Sequence, residues 1–276
     1  MPNAIGTACS SRWKPDSGRL NACLAALWVV ALLAWPSLPA GAASVDDEAA
    51  RASEALELSG DQLVQQVVEH VRATGSFTGR EVLDPAILEL VRELPREAFV
   101  TPEAAPFAYL DLPLPAPHGL RESQPFIVAL MTDLVAIDPD DDVLILGVGG
   151  GYHAALASRL AAWVYVVDLD ERAVATTTER LAELDFPSIE LRAADPYDGW
   201  PEIEQQFDAI IVRLAIDRVP RMLFRQLAPG GRLVAPVGYD DDGQDLTLIT
   251  RTADQGYTTM AILPVRFMRL PGGERL

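Results

Sequence analysis

From residue 143 onward, short apolar runs alternate with segments of helical periodicity, and this alternation constrains the fold more than any other feature. The apolar runs span residues 143–146, 164–167, 189–192, 209–212, 233–237, 246–249 and 260–267. Helical segments at 153–162, 171–184 and 220–227 separate the early runs. Strands that alternate with helices predict a mainly parallel sheet covered on both faces. Because no helical segment separates the last runs, we expect an antiparallel edge on a seven-stranded sheet.

Two helices are predicted ahead of this sheet. Leu63, Val67 and Val71 recur at helical spacing, and Asp84 precedes a second periodic segment that starts with a proline. These helices form an N-terminal extension of an α/β, Rossmann-like, doubly wound domain that we place at residues 61–276.

A proline-rich stretch at 101–118 joins the extension to the sheet. It is long for a loop and too irregular for a helix or strand, which favours a functional segment or a lid. Residues 123–137 then predict a third helix, with Ser123 as its N-cap.

The first 42 residues have the composition of an export signal. Basic residues precede an uncharged apolar run at 20–35, and Ala40-Gly41-Ala42 follows. The run is short for a membrane span, which needs about 20 residues. We therefore predict a signal peptide at 1–42, an acidic tether at 43–60, and an exported, periplasmic protein. An uncleaved N-terminal membrane anchor is the alternative.

The charge of the chain excludes some partners. The formal net charge is -18, whereas nucleic acids and anionic lipids are bound by basic surfaces. The two cysteines, Cys9 and Cys23, both lie in the predicted signal. We therefore expect no nucleic-acid partner, no disulfide in the mature protein and no metal.

A glycine-rich turn follows the apolar run at 143–146. Gly147, Gly149 and Gly151 lie in this turn, and glycine allows a backbone to approach a ligand closely. Ligands of open α/β sheets bind outside the carboxyl ends of the strands. A dehydrogenase fingerprint requires glycine where Tyr152 stands, so a dinucleotide site is disfavoured.

Acidic residues end the next two predicted strands. Asp168 stands where an acid accepts hydrogen bonds from a ribose diol, and Asp195 is suited to an adenine amino group. With the glycine turn they predict a nucleoside site. The alternative is that all three are ordinary turn residues.

Several segments resemble the protein-L-isoaspartate O-methyltransferase family, a family of class I S-adenosylmethionine-dependent methyltransferases. They are PREAFV (95–100), AYLDLPL (108–114), HG (118–119) with SQP (123–125), Asp195 with GWP (199–201), FDAIIV (207–212), APGGRLV (228–234) and PVRF (264–267). They occur in order and at the spacing of the family, over roughly residues 61–270.

The resemblance implies methyl transfer from the cofactor S-adenosyl-L-methionine to the free carboxylate of isoaspartyl residues, in the repair of damaged proteins. Isoaspartyl peptides or proteins are then the partners. The carboxylate is itself the nucleophile, so the enzyme mainly positions the reactants. The resemblance implies that Ser123 orients substrate or cofactor. His118 lies just ahead of this loop and is expected to bind substrate, unless it is structural.

Residues in the expected site depart from the family pattern. Ile145 replaces an acid, Arg121 and Glu122 replace Thr-Ile, Arg213 lies in a Thr-Ala-Ala-like segment, and Pro196 replaces a glycine. A more positive pocket should bind a cationic cofactor less well. Arg121 either clamps a substrate carboxylate or points to solvent, and Arg213 either enters the pocket or pairs with an acid such as Glu122. The alternative function is therefore a non-catalytic binding module of the cell envelope that has lost the cofactor.

Overall fold

The computed structural model describes residues 59–202, 204–238, 243–254 and 256–270. The predicted signal peptide, and the predicted tether up to residue 58, lie outside the described residues. Within the described part of the chain, no helix is both long enough and apolar enough to cross a membrane.

Six α-helices and nine strands are described. The helices are α1 (Gly60–Thr78), α2 (Pro85–Glu93), α3 (Pro125–Val135), α4 (Tyr152–Ser158), α5 (Glu171–Glu183) and α6 (Arg221–Gln226). The strands are β1 (Leu114–Pro115), β2 (Arg121–Glu122), β3 (Asp142–Leu146), β4 (Trp163–Asp168), β5 (Ile189–Ala193), β6 (Phe207–Val212), β7 (Leu227–Val237), β8 (Gln244–Arg251) and β9 (Tyr257–Val265).

The main sheet has seven strands in the order β5-β4-β3-β6-β7-β8-β9. Strands β3 to β7 pair in parallel, and β8 pairs antiparallel with both β7 and β9. The predicted α/β class, the seven strands and the antiparallel edge are confirmed. Strand order reverses at β3, which has β4 on one side and β6 on the other, so the carboxyl ends of these strands flank a switch point where ligands bind in such folds.

Alternate residues of β3 serve two separate cores. Val143 and Ile145 belong to one buried cluster, and Leu144 and Leu146 belong to the other. This follows from the period of two along a strand whose two faces are both covered. Ile145 is fully buried in the apolar core, so its departure from the family pattern adds apolar packing at this place.

The N-terminal helices cover the face of the sheet that carries Ile145. Leu63, Val67 and Val71 of α1 are buried in the same cluster as this residue, as the helical spacing predicts. Ser59 begins α1 with a reciprocal capping box, and Asp84 caps α2 by accepting a hydrogen bond from the Ala86 amide.

Ser123 does not cap α3, so this prediction was wrong. The helix begins at Pro125, its N-cap is Gln124, and no side-chain hydrogen bond caps it. The residue before a proline is driven out of the helical region, and Gln124 has φ −55° and ψ 133°. The helix therefore starts two residues later than the apolar pattern predicts, and the Ser123 hydroxyl is released from the capping role.

Arg96 orders the proline-rich stretch that precedes α3. Its buried guanidinium donates to the carbonyl oxygens of Ala108 (2.7 Å), Leu110 (3.0 Å), Leu112 (2.7 Å) and Ser123 (3.2 Å). Burial lowers the pKa of Arg96. The proline-rich stretch is therefore anchored by the Arg96 side chain, which binds main-chain carbonyl oxygens.

Candidate active site

A cavity of about 480 Å³ lies at the carboxyl ends of β3, β4 and β6. Its volume is within the range of small-molecule sites, about 300–1,000 Å³. Its lining residues come from the turn after β3, the end of β4, the turn after β6, the β2–α3 connection and the segment after β9. They include Gly147, Gly149, Asp168, Arg213, Leu214, Glu122, Ser123, Arg121 and Arg266.

Two positions of the glycine turn, Gly149 and Gly150, leave no room for a side chain. A methyl group added at Gly150 would overlap the carbonyl oxygen of Phe99, which is backbone and cannot swing aside. Gly149 has φ 56°, and a methyl group there would overlap the guanidinium of Arg213. The turn is therefore enclosed by the Phe99 backbone and by the Arg213 side chain.

Asp168 ties this turn to the end of β4. One carboxylate oxygen accepts from the Val148 amide (2.8 Å), and the other accepts from the Asp170 amide (3.0 Å). Asp168 is 8% exposed and lines the cavity. A carboxylate oxygen has more than one lone-pair site, so each can still accept a hydrogen bond from a ligand hydroxyl.

Glu122 and Arg213 form a buried ion pair in the wall of the cavity. Arg213 Nη2 donates to Glu122 Oε2 at 2.7 Å, and Arg213 Nη1 donates to the Gly147 carbonyl at 3.0 Å. Glu122 Oε1 accepts from the amides of Gly150 (2.6 Å) and Tyr152 (3.1 Å). Among the described residues, Arg213 Nε has no hydrogen-bond partner.

The pair resolves the alternatives for Arg213, which lines the pocket and is also paired with Glu122. The two departures from the family pattern therefore compensate each other in charge. A buried pair is tolerated when its remaining donors and acceptors are satisfied, as they are here apart from the Arg213 Nε.

The structure brings five of the predicted site residues together. Gly147, Gly149, Asp168, Ser123 and Arg121 all line the cavity. Their functional roles remain predictions, because position alone does not assign them.

Three predicted residues do not line the cavity. Gly151 forms the start of α4 with φ 102°, and Asp195 accepts from the Tyr197 amide (3.0 Å) at the start of a short 3₁₀ turn. His118 is exposed and lies on the surface with Nε2 3.0 Å from Thr176 Oγ1. His118 therefore contacts α5 through this side chain, outside the cavity wall.

Sequence reasoning did not include the segment after β9 in the site. Arg266, Phe267 and Met268 line the cavity although they lie far along the chain from the glycine turn. The sequence contained a signal for this segment, because residues 264–267 resemble the corresponding segment of the family. The segment crosses back from β9 to the turn after β6, where the Ala215 amide donates to the Met268 carbonyl and the Leu270 amide donates to the Ala215 carbonyl, each at 2.8 Å.

His153 has a structural place in the helix that follows the glycine turn. It is buried in α4, where Nε2 lies 3.1 Å from Thr132 Oγ1. Desolvation, and then the charge of Arg213, hold the pKa of His153 well below its ordinary value. The ring is therefore neutral at physiological pH. No group of three or more His, Cys, Asp or Glu among the described residues is arranged to hold a metal ion.

Residues 62–275 match the family model described as protein-L-isoaspartate(D-aspartate) O-methyltransferase. Protein-L-isoaspartate O-methyltransferase 1 of Cupriavidus necator is 39% identical over 221 residues, which cover 80% of this chain and 85% of the relative. Protein-L-isoaspartate O-methyltransferase 2 of a Polaromonas species is 39% identical over 210 residues, covering 76% and 99%.

Solved structures resemble the chain in fold. A structure named protein-L-isoaspartate O-methyltransferase superposes with a TM-score of 0.64 at 26% identity, over 76% of this chain and 66% of that chain. A Plasmodium falciparum structure, solved in complex with S-adenosyl-L-homocysteine, has a TM-score of 0.58 at 20% identity, over 74% of this chain and 96% of that chain.

Proposed function

The chain belongs to the protein-L-isoaspartate(D-aspartate) O-methyltransferase family, and we propose that it methylates the free carboxylate of isoaspartyl residues in damaged proteins with S-adenosyl-L-methionine as cofactor. One observation carries the proposal for this chain. The cavity at the switch point of the sheet combines the glycine turn, Asp168 and Ser123 in one wall.

The residues present fit the cofactor. Gly147 and Gly149 contribute only backbone to the cavity wall, where the Arg213 guanidinium lies against Gly149, and Asp168 keeps acceptor positions for a ribose diol. Arg213 Nε is a buried donor without a partner among the described residues, suited to a ligand carboxylate. Asp195 follows β5, the strand next to β4, and we assign it to the adenine amino group. When bound, S-adenosyl-L-methionine supplies an electrophilic methyl group on a sulfonium.

The residues of this chain position the reacting carboxylate and give the cavity apolar surface. A carboxylate is ionised at neutral pH and attacks directly, so no residue is needed to remove a proton. The Ser123 hydroxyl lines the cavity and can donate to one carboxylate oxygen, which holds the other for reaction. Leu120, Ile127 and Leu214 give the cavity apolar surface that excludes water. Exclusion of water favours a reaction in which opposite charges cancel.

A calorimetric titration with S-adenosyl-L-methionine tests the cofactor site. We expect saturable binding by the unchanged protein, and binding at least about tenfold weaker in Asp168→Asn, because a lost charged hydrogen bond contributes about 1.5–3 kcal/mol. The same titration of Asp195→Asn tests the residue that we assign to the adenine amino group. A silent titration of the unchanged protein would contradict the proposal.

Methyl transfer is tested with two peptides that differ only in isoaspartyl against ordinary aspartyl linkage. We expect labelled methyl groups on the isoaspartyl peptide alone. Binding of that peptide without cofactor binding or transfer would instead support the non-catalytic binding module.

We also propose that the protein acts outside the cytoplasm, as a periplasmic enzyme released from its signal. The support is the basic N-terminal region, the uncharged run at 20–35 and the Ala40-Gly41-Ala42 site. N-terminal sequencing of the protein from an envelope fraction should begin at residue 43. An intact N-terminus in the membrane fraction would support the anchored alternative.

A further inference from the structure

We propose that this site recognises a second carboxylate of the substrate, on a residue beside the isoaspartyl group, through Arg121 and Arg266. The substrate class is thus an acidic isoaspartyl segment. This inference rests on the proposed function and goes beyond it, because it assigns a sequence preference and two specificity residues.

Two unpaired guanidinium groups line the cavity. Arg121 lies on the short strand β2, and Arg266 directly follows β9. Both side chains are exposed, and neither forms a hydrogen bond or an ion pair with another described residue. The third lining arginine, Arg213, differs because Glu122 neutralises it. The two free cations come from distant parts of the chain and meet at one cavity.

A count of charges in the cavity wall indicates what they bind. Glu122 and Arg213 cancel, which leaves Asp168 negative and both Arg121 and Arg266 positive. Among the residues that line the cavity, which do not include Asp195, Asp168 balances the one net positive charge of the cofactor and the accepting carboxylate balances one arginine. One positive charge remains in the loaded site. A second substrate carboxylate brings the site to neutrality, whereas a neutral neighbour leaves the charge unbalanced.

The accepting carboxylate is a poor ligand for both arginines together. Its oxygen must keep electron density to attack the methyl carbon, and bidentate binding by a guanidinium withdraws that density. A neighbouring carboxylate carries no such restriction. The formal net charge of -18 works against acidic substrates over most of the surface, so any attraction must come from a local positive site.

The test uses two isoaspartyl peptides that differ only in the following residue, glutamate or glutamine. Binding of each fluorescent peptide is measured by anisotropy with S-adenosyl-L-homocysteine present, and KM is measured with S-adenosyl-L-methionine. We expect the glutamate peptide to bind about tenfold more tightly at low salt, since two exposed charge contacts are each equivalent to about threefold. In 1 M salt, where the Debye length is about 3 Å, the preference should largely disappear.

The variants Arg121→Gln and Arg266→Gln should each reduce the preference about threefold, and the double variant should abolish it. Arg72→Gln is the matched control, because Arg72 is an exposed arginine of α1 that does not line the cavity. Thermal melting confirms that each variant is folded. The salt dependence of the unchanged protein provides a second test that requires no variant.

Equal binding of the two peptides by the unchanged protein would overturn the inference, and so would a preference that survives in the double variant. Absence of methyl transfer to both peptides would overturn the proposed function instead. In that case the anisotropy preference still decides whether the two arginines recognise an acidic segment.

Discussion

Breaking the ion pair between Glu122 and Arg213 should destabilise the whole domain. The perturbations are Glu122→Gln and Arg213→Met, alone and together. Both side chains are buried, and they are joined at 2.7 Å in the cavity wall. Removal of one partner leaves the other as an uncompensated charge in a poorly hydrated place.

The structure sets the size of the effect. Glutamine keeps an oxygen that can accept from the Gly150 and Tyr152 amides, so Glu122→Gln removes mainly the charge. Methionine keeps most of the volume of arginine but loses the donor to Gly147. Loss of one partner of a buried pair costs about 3–5 kcal/mol, and we expect each single variant at the lower end. The double variant should lose at least about 2 kcal/mol less than the sum of the two.

The measurement is the free energy of unfolding in urea, followed by tryptophan fluorescence, to which the buried Trp200 contributes. The control is Glu202→Gln, which removes one partner of the exposed pair with Arg192 and should leave the midpoint unchanged. Single variants that match this control would refute the reasoning. So would additive losses in the double variant, because additivity means that the two side chains do not interact.

Three further predictions follow from buried groups and close backbone contacts. His153→Gln should flatten the pH dependence of stability. In the unchanged protein the folded-state pKa of His153 lies below its unfolded value, so the free energy of unfolding falls by up to about 1.4 kcal/mol for each pH unit below about 6.5. The measurement is a series of urea titrations from pH 7 to pH 5. Gly150→Ala should destabilise the protein more than Gly230→Ala in thermal melts. A methyl group at Gly150 overlaps the Phe99 carbonyl oxygen, whereas at Gly230 it meets nothing within 4 Å and the cost is that of a left-handed φ of 86°, about 1–2 kcal/mol. Arg96→Met should expose the proline-rich stretch to limited proteolysis before global unfolding, since four carbonyl oxygens lose their donor; equal cleavage of variant and unchanged protein would contradict this.

The sheet was predictable because its signals are local. Each strand is a short apolar run, and each parallel connection except that between β5 and β6 contains a periodic segment, so the class and the antiparallel edge follow from the residues in order. The start of α3 was missed because an apolar pattern ignores the backbone restriction at Gln124 that Pro125 imposes.

The cavity wall was only partly predictable. The glycine turn and Asp168 follow directly from their strands, so their convergence is a property of parallel topology. The bond between Glu122 and Arg213 joins residues 91 positions apart, and no periodicity relates them. Arg266 reaches the site because the segment after β9 crosses back to the turn after β6 and bonds to Ala215 there. Such contacts depend on side-chain placement in three dimensions.

Arg96 grips the proline-rich stretch through main-chain oxygens alone. Every residue type offers the same carbonyl, so the anchorage is indifferent to the side chains that the stretch displays. Substitutions at an exposed position such as Leu112 should therefore leave this anchorage intact, whereas the buried Asp111 also holds the stretch through its carboxylate, which accepts from the Phe126 amide at 2.8 Å. The bonds to Arg96 thus hold the stretch independently of the side chains that it exposes to solvent.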